Sequence, residues 1–370
     1  MSDPLVLAVN VDLTADASTL RGYLRDVEAA GADMVWVPEA YGRDAVSVIG
    51  FCAAATTRLR LGSAVINVFS RSPALIAQTA ASCDELTGGR FDLGLGTSGP
   101  QVVEGWHGVP FSRPLERSRE VMEVCRLIWR REPAVYEGRS VRLPLPADRG
   151  TGAGTSTGTA AAGATAPATG LGKPLKLMTR PVRPRIPIWL ASLGPRNVRL
   201  TAARAEGWLP SLFIPELADL VWGEDLRKGT ADRDPGLPPL QIAVSAHTEI
   251  TGESAHAVRA ARDRARPSLA RYIGGMGAKG ANFYNDLVRR YGFPDEAERV
   301  QRLYLDRRPE AAADALSDRL VEALTVCGPP AYVRDRLDAF RAAGVTDFRV
   351  NVNAGSDAPR AVGQLKELTR

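Results

Sequence analysis

The chain has 370 residues, of which 45% are hydrophobic, and its formal net charge at pH 7 is +5. This composition is typical of a globular chain with a full core, and no apolar run is long enough to predict a transmembrane helix. The N-terminus passes from Met-Ser-Asp-Pro directly into a short apolar run, which indicates a first strand rather than a secretory signal. We therefore expect a cytoplasmic protein that does not bind a membrane.

Neither metal binding nor nucleic-acid binding is indicated. The four cysteines form no C-x-x-C pair and the three histidines form no H-E-x-x-H signature, so we expect buried free thiols and no metal site. The arginines are scattered along helical patterns next to acidic residues, which is typical of solvated helical faces. This pattern predicts no nucleic-acid partner, although the positive surplus suits a small anionic ligand.

Short apolar runs alternate with longer helical patterns along most of the chain. Strands are predicted at 5–9, 34–37, 59–66, 91–95, 188–191, 207–212, 241–248 and 347–352. Helices are predicted at 18–30, 44–56, 73–86, 195–205 and 330–343. Eight apolar strands that alternate with helices favour a closed parallel sheet, a TIM (β/α)8 barrel that spans residues 1–370 as one domain.

Three segments depart from this repeat and are predicted to be insertions. Residues 135–143 alternate around a Glu-Gly turn, which indicates a β-hairpin. Residues 147–172 consist almost wholly of Gly, Ala, Thr, Ser and Pro, a composition that predicts a mobile loop. Residues 262–324 contain several helical patterns and no clear strand, so we expect a helical insertion before the last strand.

In a parallel barrel the active site lies at the C-terminal ends of the strands. Glu39 follows the second strand, where its carboxylate could face the barrel mouth or instead form a structural salt bridge. The third strand contains small residues at 62–64, which let a flat ligand approach the backbone, and leads to the polar Asn67.

The fourth and fifth strands also end in sequences suited to ligands. Residues 94–101 combine glycines with hydroxyls and predict a turn that exposes backbone N–H groups to an anion, without a helix starting there. Glu104, Trp106 and His107 are expected together in the loop that follows. Gly194 precedes a helix and is a candidate phosphate seat.

Several of these segments occur in a known order and spacing. The motifs are Val-Trp-Val-Pro-Glu at 35–39, Leu-Gly-Ser-Ala-Val at 61–65, Arg-Ser-Pro-Ala at 71–74, Asp-Glu-Leu-Thr-Gly-Gly-Arg-Phe at 84–91, and the stretches 94–111 and 188–208. On these motifs the chain resembles the luciferase-like monooxygenase superfamily, and most closely its actinobacterial coenzyme F420-dependent oxidoreductases. The resemblance covers most of the chain but not 147–172, and it is weak at 215–320.

The resemblance implies a homodimeric barrel with a tricyclic cofactor ring in its mouth, against a bulge in the third strand with a cis peptide between Ala64 and Val65. It implies contacts with the cofactor ring and its side chain, and with the cofactor phosphate and tail. The implied cofactor residues are Glu39, Ala64, Val65, Asn67, Thr97, Ser98, Gly99, Val103, Ala191, Ser192 and Gly194. Family members often have Asp-His where this chain has Glu39-Ala40, which argues against sugar-phosphate dehydrogenation.

The implied cofactor, coenzyme F420, transfers hydride between its deazaflavin ring and a small organic substrate. Reduction of an activated C=C or C=N bond and oxidation of an alcohol are both consistent with the sequence. Glu104, His107 and Glu39 are the predicted catalytic residues, and the first two are candidates to supply or remove the proton.

Two alternatives use the same fold. An FMN-dependent monooxygenase is one, because FMN shares the ribityl phosphate of F420. A non-catalytic flavin-binding relative is the other. The missing histidine at Ala40 favours it, whereas the intact Gly-Thr-Ser-Gly and Trp-His-Gly segments argue against it.

Overall fold

A computed structural model describes residues 4–146, 168–352 and 357–369. Twelve strands are present in these ranges: β1 (Val6–Asn10), β2 (Met34–Val37), β3 (Arg60–Ser63), β4 (Ile66–Asn67), β5 (Phe91–Gly96), β6 (Tyr136–Glu137), β7 (Arg142–Leu143), β8 (Ile188–Leu190), β9 (Gly207–Trp208), β10 (Gln241–Ile250), β11 (Thr325–Gly328) and β12 (Asp347–Asn351). Parallel pairing runs in the order β1-β2-β3-β5-β8-β9-β10-β12 and returns to β1. The predicted eight-stranded parallel barrel is therefore confirmed.

Helices surround the barrel and follow its strands. They are α1 (Ala17–Ala29), α2 (Ala45–Ala55), α3 (Pro73–Leu86), α4 (Pro100–Gly105), α5 (Pro114–Trp129), α6 (Pro195–Arg204), α7 (Glu224–Ala231), α8 (Ala255–Asp263), α9 (Arg266–Ala270), α10 (Phe283–Arg290), α11 (Pro294–Leu305), α12 (Pro309–Asp314), α13 (Asp318–Ala323), α14 (Pro330–Ala342) and α15 (Ala358–Leu368). Within the described ranges, no helix combines the length and the apolar character that a bilayer crossing requires.

Capping residues begin the helices of the first half where the sequence predicts them. The carboxylates of Asp16 and Asp44 accept hydrogen bonds from backbone N–H groups in the first turns of α1 and α2. Ser72 caps α3 in the same way, and Pro73 occupies its first position. These caps satisfy donors that the helix leaves open, and each of the three helices lies within one residue of its predicted bounds.

Three strand predictions need correction. The predicted single strand at 59–66 is two strands, β3 and β4, because the chain bulges between them. The predicted strand at 207–212 is only the two-residue β9, and Leu212 has a positive φ of 49°. The prediction missed β11, which pairs with the C-terminal half of β10 while β12 pairs along its other edge.

The insertions match their predicted types where the structure describes them. Strands β6 and β7 form the predicted antiparallel hairpin. Helices α9 to α13 and a π-helical turn, Arg271–Gly275, make the helical insertion that precedes the last barrel strand. Most of the predicted loop at 147–172, residues 147–167, lies outside the described residues. The four cysteines are free and buried, as predicted.

Large and small residues alternate inside the barrel. The rings of Trp36 and Trp189 meet edge to face, with centroids 5.3 Å apart. A Cβ at Gly62 would lie 2.4 Å from the Trp36 ring, and a Cβ at Gly207 would lie 2.0 Å from the Trp189 ring. Each tryptophan therefore depends on a glycine on a neighbouring strand, and together they close the barrel in its middle.

A buried charged cluster fills the N-terminal end of the barrel. Arg60 forms an ion pair with Asp92, and Nε1 of Trp189 donates to the same carboxylate at 3.2 Å. Oδ1 of Asp347 lies 4.0 Å from the Arg60 guanidinium and has no hydrogen-bond partner. Burial raises the pKa of Asp347 from 3.8 to about 6 because desolvation penalises its ionised form.

This raised pKa predicts a pH-dependent stability. Since the folded state binds the Asp347 proton more tightly than the unfolded chain does, the free energy of unfolding falls as the pH rises from about 4 to about 6. Asp347→Asn removes this contribution, so the variant should gain stability relative to the wild type across that window. Urea unfolding at pH 4, 5, 6 and 7 measures the difference. Asp338→Asn, in an exposed ion pair with Arg341, is the control, and equal pH profiles for Asp347→Asn and wild type would contradict the assignment.

Candidate active site

The C-terminal end of the barrel is open. Side chains of residues that are paired on neighbouring strands face the same side of the sheet. Inward-facing side chains between the packed inner layer and the C-terminal strand ends therefore point into the mouth. Ala8 belongs to that inner layer, and Arg349 is in register with it. These mouth residues keep partial solvent exposure: Asn10, Ala64, Val65, Ala191, Ser245, Arg349 and Asn351. The opening is where the fold predicts an active site.

A bulge in the third strand shapes one wall of the mouth. Gly62 is in register with Asp92 and Ile66 with Leu95, so β3 and β4 use one more residue than β5 over the same span. The Ser63 hydroxyl occupies the gap, donating to the Gly94 carbonyl at 2.8 Å and accepting from the Gly94 N–H at 2.9 Å. The peptide between Ala64 and Val65 is cis, as the resemblance implies.

Glycines let the bulge enter the barrel. A Cβ at Gly94 would lie 1.8 Å from the Ser63 carbonyl oxygen, so no other residue fits there. A Cβ at Gly96 would lie 2.6 Å from the Val65 side chain and 3.5 Å from Ala191. Ala64, Val65, Gly96 and Ala191, all predicted near the cofactor or its turn, therefore form one continuous apolar wall.

Asn67 provides an unused hydrogen-bond donor beside this wall. Its Oδ1 accepts from the Phe69 N–H at 2.9 Å, which fixes the orientation of the amide. Its Nδ2 is buried without a hydrogen-bond partner. Buried polar groups are almost always paired, so this donor indicates a ligand with an acceptor.

The turn after β5 differs from its prediction. Thr97, Ser98 and Gly99 follow the strand as expected, and Ser98 has a positive φ of 54°. However, α4 starts at Pro100, directly after Gly99, whereas the sequence predicts no helix start there. Sequence reasoning missed the helix because Gly99 has no side chain to cap it. Val103, on this helix, is fully buried.

Glu104 and His107 lie at the rim of the site. Glu104 belongs to α4 rather than to the predicted loop, is exposed, and accepts a hydrogen bond from the Phe111 N–H at 3.2 Å. His107 is half-buried just beyond the helix. Between them Trp106 is 64% exposed and faces Tyr41, with ring centroids 6.5 Å apart. This segment is accessible to a substrate, and no contact joins the two predicted proton carriers.

Glu39 has structural partners for both of its carboxylate oxygens. Arg71 donates to them at 2.7 and 2.8 Å, and the Ala45 N–H at the start of α2 donates to Oε2 at 3.1 Å. The Arg71 guanidinium also pairs with Asp44 at 2.5 Å. The structural salt bridge considered from the sequence is therefore present, and it links the second and third strand ends.

The end of β8 presents backbone rather than side-chain groups. The Ser192 hydroxyl is engaged by Thr201 at 2.8 Å, and the Ser192 carbonyl accepts from Nε1 of Trp208 at 2.9 Å. Gly194 is the N-cap of α6 and offers no side-chain cap. The positive end of α6 thus has no side-chain cap, which suits the binding of a phosphate.

Sequence reasoning missed two polar groups inside the barrel. Nε1 of Trp36 is buried without a partner. Arg349 faces the mouth from β12, and its Nε is also buried without a partner. The signal for Arg349 was the alternation Asp-Phe-Arg-Val-Asn at 347–351, which places three polar side chains on one face of a barrel strand.

A second cavity opens beside the third strand end. It has a volume of about 440 Å³ and is lined by residues from the β4–α3 loop, the α4–α5 loop and the hairpin: Phe69, Val109, Pro110, Ser112, Arg113, Arg117, Arg139 and Ser140. Nε of Arg117 donates to the Val68 carbonyl at 2.9 Å, and its guanidinium lies 5.0 Å from the Phe69 ring centre. Three arginines, Arg113, Arg117 and Arg139, make the lining of this cavity basic.

Comparison with known proteins agrees with the fold. The family model for luciferase-like monooxygenases matches residues 5–347. A Mycobacterium tuberculosis protein, provisionally named a coenzyme F420-dependent oxidoreductase, is 40% identical over 89% of this chain and 88% of its own length. The 5,10-methylenetetrahydromethanopterin reductase of Archaeoglobus fulgidus is 24% identical over 93% and 92%. The structure of the coenzyme F420-dependent tetrahydromethanopterin reductase from Methanopyrus kandleri superposes with a TM-score of 0.77 over 99% of both chains, at 18% identity.

This chain belongs to the luciferase-like monooxygenase family. It is an enzyme of the oxidoreductase class.

The partners of Glu39 give a test of its role. We expect Glu39→Gln to lower the free energy of unfolding by about 1–3 kcal/mol because the half-buried Arg71 loses a charged acceptor. Urea unfolding measures this, with Asp338→Asn as an exposed-pair control that should change stability by no more than about 1 kcal/mol. Unchanged stability together with lost turnover would show instead that Glu39 takes part in the chemistry.

Proposed function

We propose that this enzyme uses coenzyme F420 to transfer hydride to or from a small organic substrate. The observation that carries the proposal is the 40% identity, over nearly the full length of both chains, with a relative named for F420. We further propose that it acts as a homodimer in the cytoplasm. A deazaflavin supplies hydride transfer and reacts poorly with oxygen, which favours this chemistry over the FMN monooxygenase alternative.

The residues of the mouth fit a flat heterocycle with carbonyl acceptors. The wall formed by Ala64, Val65, Gly96 and Ala191 is apolar and consists of small residues. Nδ2 of Asn67 would donate to a ring acceptor, which would pair an otherwise unpartnered buried group. Thr97, Ser98, Gly99 and Val103 would border the ring from the turn after β5.

The anionic part of the cofactor would be held at the α6 end of the mouth. The backbone N–H groups of Ser192 and Gly194 would bind the phosphate beside Ala191, because the Ser192 hydroxyl is already engaged by Thr201 and the Ala191 N–H already donates to the Leu95 carbonyl. The positive end of α6 would favour the negative charge. The arginines of the neighbouring cavity would add long-range attraction for an anionic tail.

The chain would contribute orientation, exclusion of water and a proton. Trp36 and Trp189 seal the barrel below the mouth, so water cannot enter from the N-terminal side. Glu39 would act as a positioning residue through Arg71. Glu104 and His107, at the accessible rim, would hold or remove the proton that balances hydride transfer.

A paired titration tests the cofactor. Oxidised F420 and FMN are added separately to purified protein, and fluorescence quenching gives each dissociation constant. We expect the deazaflavin to bind more tightly than FMN, and Asn67→Asp to weaken F420 binding about tenfold by replacing the free donor with an acceptor. Gln101→Glu, the same amide-to-acid change on exposed α4, is the matched control. Tight binding of FMN alone would overturn the proposal in favour of a flavin enzyme.

The proton role is tested separately. We expect the double variant Glu104→Gln/His107→Asn to lower kcat by about 100-fold or more while leaving the dissociation constant of F420 unchanged. The measurement is the rate of F420 absorbance change with any substrate that supports turnover. Unchanged kcat with intact cofactor affinity would remove both residues from the mechanism.

A further inference from the structure

Arg349 is a cation in the barrel interior. It is in register with Ala8 on β1 and Ser245 on β10, and Ala8 packs in the inner layer, so the Arg349 side chain faces inward. Its strand, β12, lies four positions around the barrel from β5. Arg349 therefore stands across the mouth from the apolar wall that contains Gly96.

This guanidinium lacks a counter-ion. Among the described residues, no carboxylate lies within ion-pair distance of Arg349, and it makes no hydrogen bond. The other inward-facing arginine, Arg60, pairs with Asp92. The Arg349 side chain is only partly exposed and its Nε is fully buried, and burying an unpaired charge is costly. Desolvation lowers the pKa of Arg349. A cation maintained at such a position is explained by an anion that binds there.

Two tyrosines from the helical insertion complete the surroundings of Arg349. Tyr272 and Tyr284 pack edge to face with ring centroids 5.0 Å apart, and both interact electrostatically with the guanidinium. Desolvation raises the pKa of Tyr284, so its hydroxyl remains a hydrogen-bond donor at neutral pH. The hydroxyls of both tyrosines lack a hydrogen-bond partner among the residues that the structure describes.

We propose that Arg349, Tyr272 and Tyr284 bind the carboxylate of an acidic organic substrate, a proposal that rests on the proposed function. One guanidinium matches the charge and the planar geometry of one carboxylate, and two hydroxyls can donate to the remaining lone pairs. The cofactor also carries anionic groups, but their proposed seat at Gly194 follows β8, three positions around the barrel from β12. The substrate, on the side of the mouth opposite the ring wall, is therefore the source of the anion.

Matched acids and amides test this. Benzoate with benzamide, and cinnamate with cinnamamide, differ only in the charged group. Their dissociation constants are measured by calorimetry on F420-saturated protein for wild type, Arg349→Gln, Arg349→Lys and the surface control Arg341→Gln. We expect wild type and Arg341→Gln to bind each acid at least about tenfold more tightly than its amide. Arg349→Gln should abolish this preference and Arg349→Lys should retain part of it.

The outcomes separate the sources of the anion. An acid preference that is lost in Arg349→Gln, with an unchanged F420 dissociation constant, supports the proposal. If wild type shows no preference for the acids, the proposal is overturned. It is also overturned if Arg349→Gln keeps the acid preference but binds F420 more weakly, because the anion at Arg349 would then belong to the cofactor. If wild type binds no F420, the proposed function fails. In that case the same acid and amide titrations on the cofactor-free protein test the carboxylate site independently of the cofactor. If Arg349→Gln does not fold, the comparison of wild type with Arg349→Lys provides the test.

Discussion

The segment that contains β3 and β4 has one residue more than β5 over the same paired span. The Ser63 hydroxyl fills the resulting gap in the backbone pairing with two hydrogen bonds to Gly94. Because Gly94 has no side chain, the bulged backbone at Ser63 can enter the barrel interior. The bulge forms a flat shelf on the inner wall of the mouth. The shelf sets the position of Asn67, whose amide is then oriented by Phe69. The flat apolar surface, its unpaired donor and the opening of the mouth all depend on this one-residue mismatch in register.

The interior of the barrel changes character along its axis. Its N-terminal end holds the Arg60 and Asp92 pair with the buried Asp347, whose pKa is raised by desolvation. Its middle holds packed tryptophans, and its C-terminal end holds unpaired polar groups. At the charged end, the guanidinium of Arg60 has an acid in reach, Asp92. In the mouth, the Nε of Arg349 and the Nδ2 of Asn67 are buried and have no partner among the described residues. Since unsatisfied buried groups cost free energy, they are expected where a ligand completes them.

The fold was largely predictable from the sequence, because strands buried on both faces are continuous apolar runs, as at Val35–Trp36–Val37, and because Asp16 and Ser72 signal helix starts. The sequence could not locate β11, whose few residues are stabilised by pairing with an overlong β10. It also could not locate α4, which begins without a capping side chain. Strand-end positions predicted Glu39, Asn67 and Gly194 as candidates, whereas the cis peptide between Ala64 and Val65 came from the family resemblance. The alternation at 347–351 places Arg349 on one face of β12, but only the register with Ala8 shows that this face points into the barrel.

The pairing of each inner tryptophan with a glycine has a consequence for how this family diversifies. Because the Trp36 ring fills the space above Gly62, and the Trp189 ring fills the space above Gly207, neither glycine can change before its tryptophan does. A larger residue at either glycine would be accepted only after the facing tryptophan had become smaller. Divergence of the barrel floor should therefore proceed by correlated exchange across neighbouring strands, while the loops around the mouth vary one position at a time.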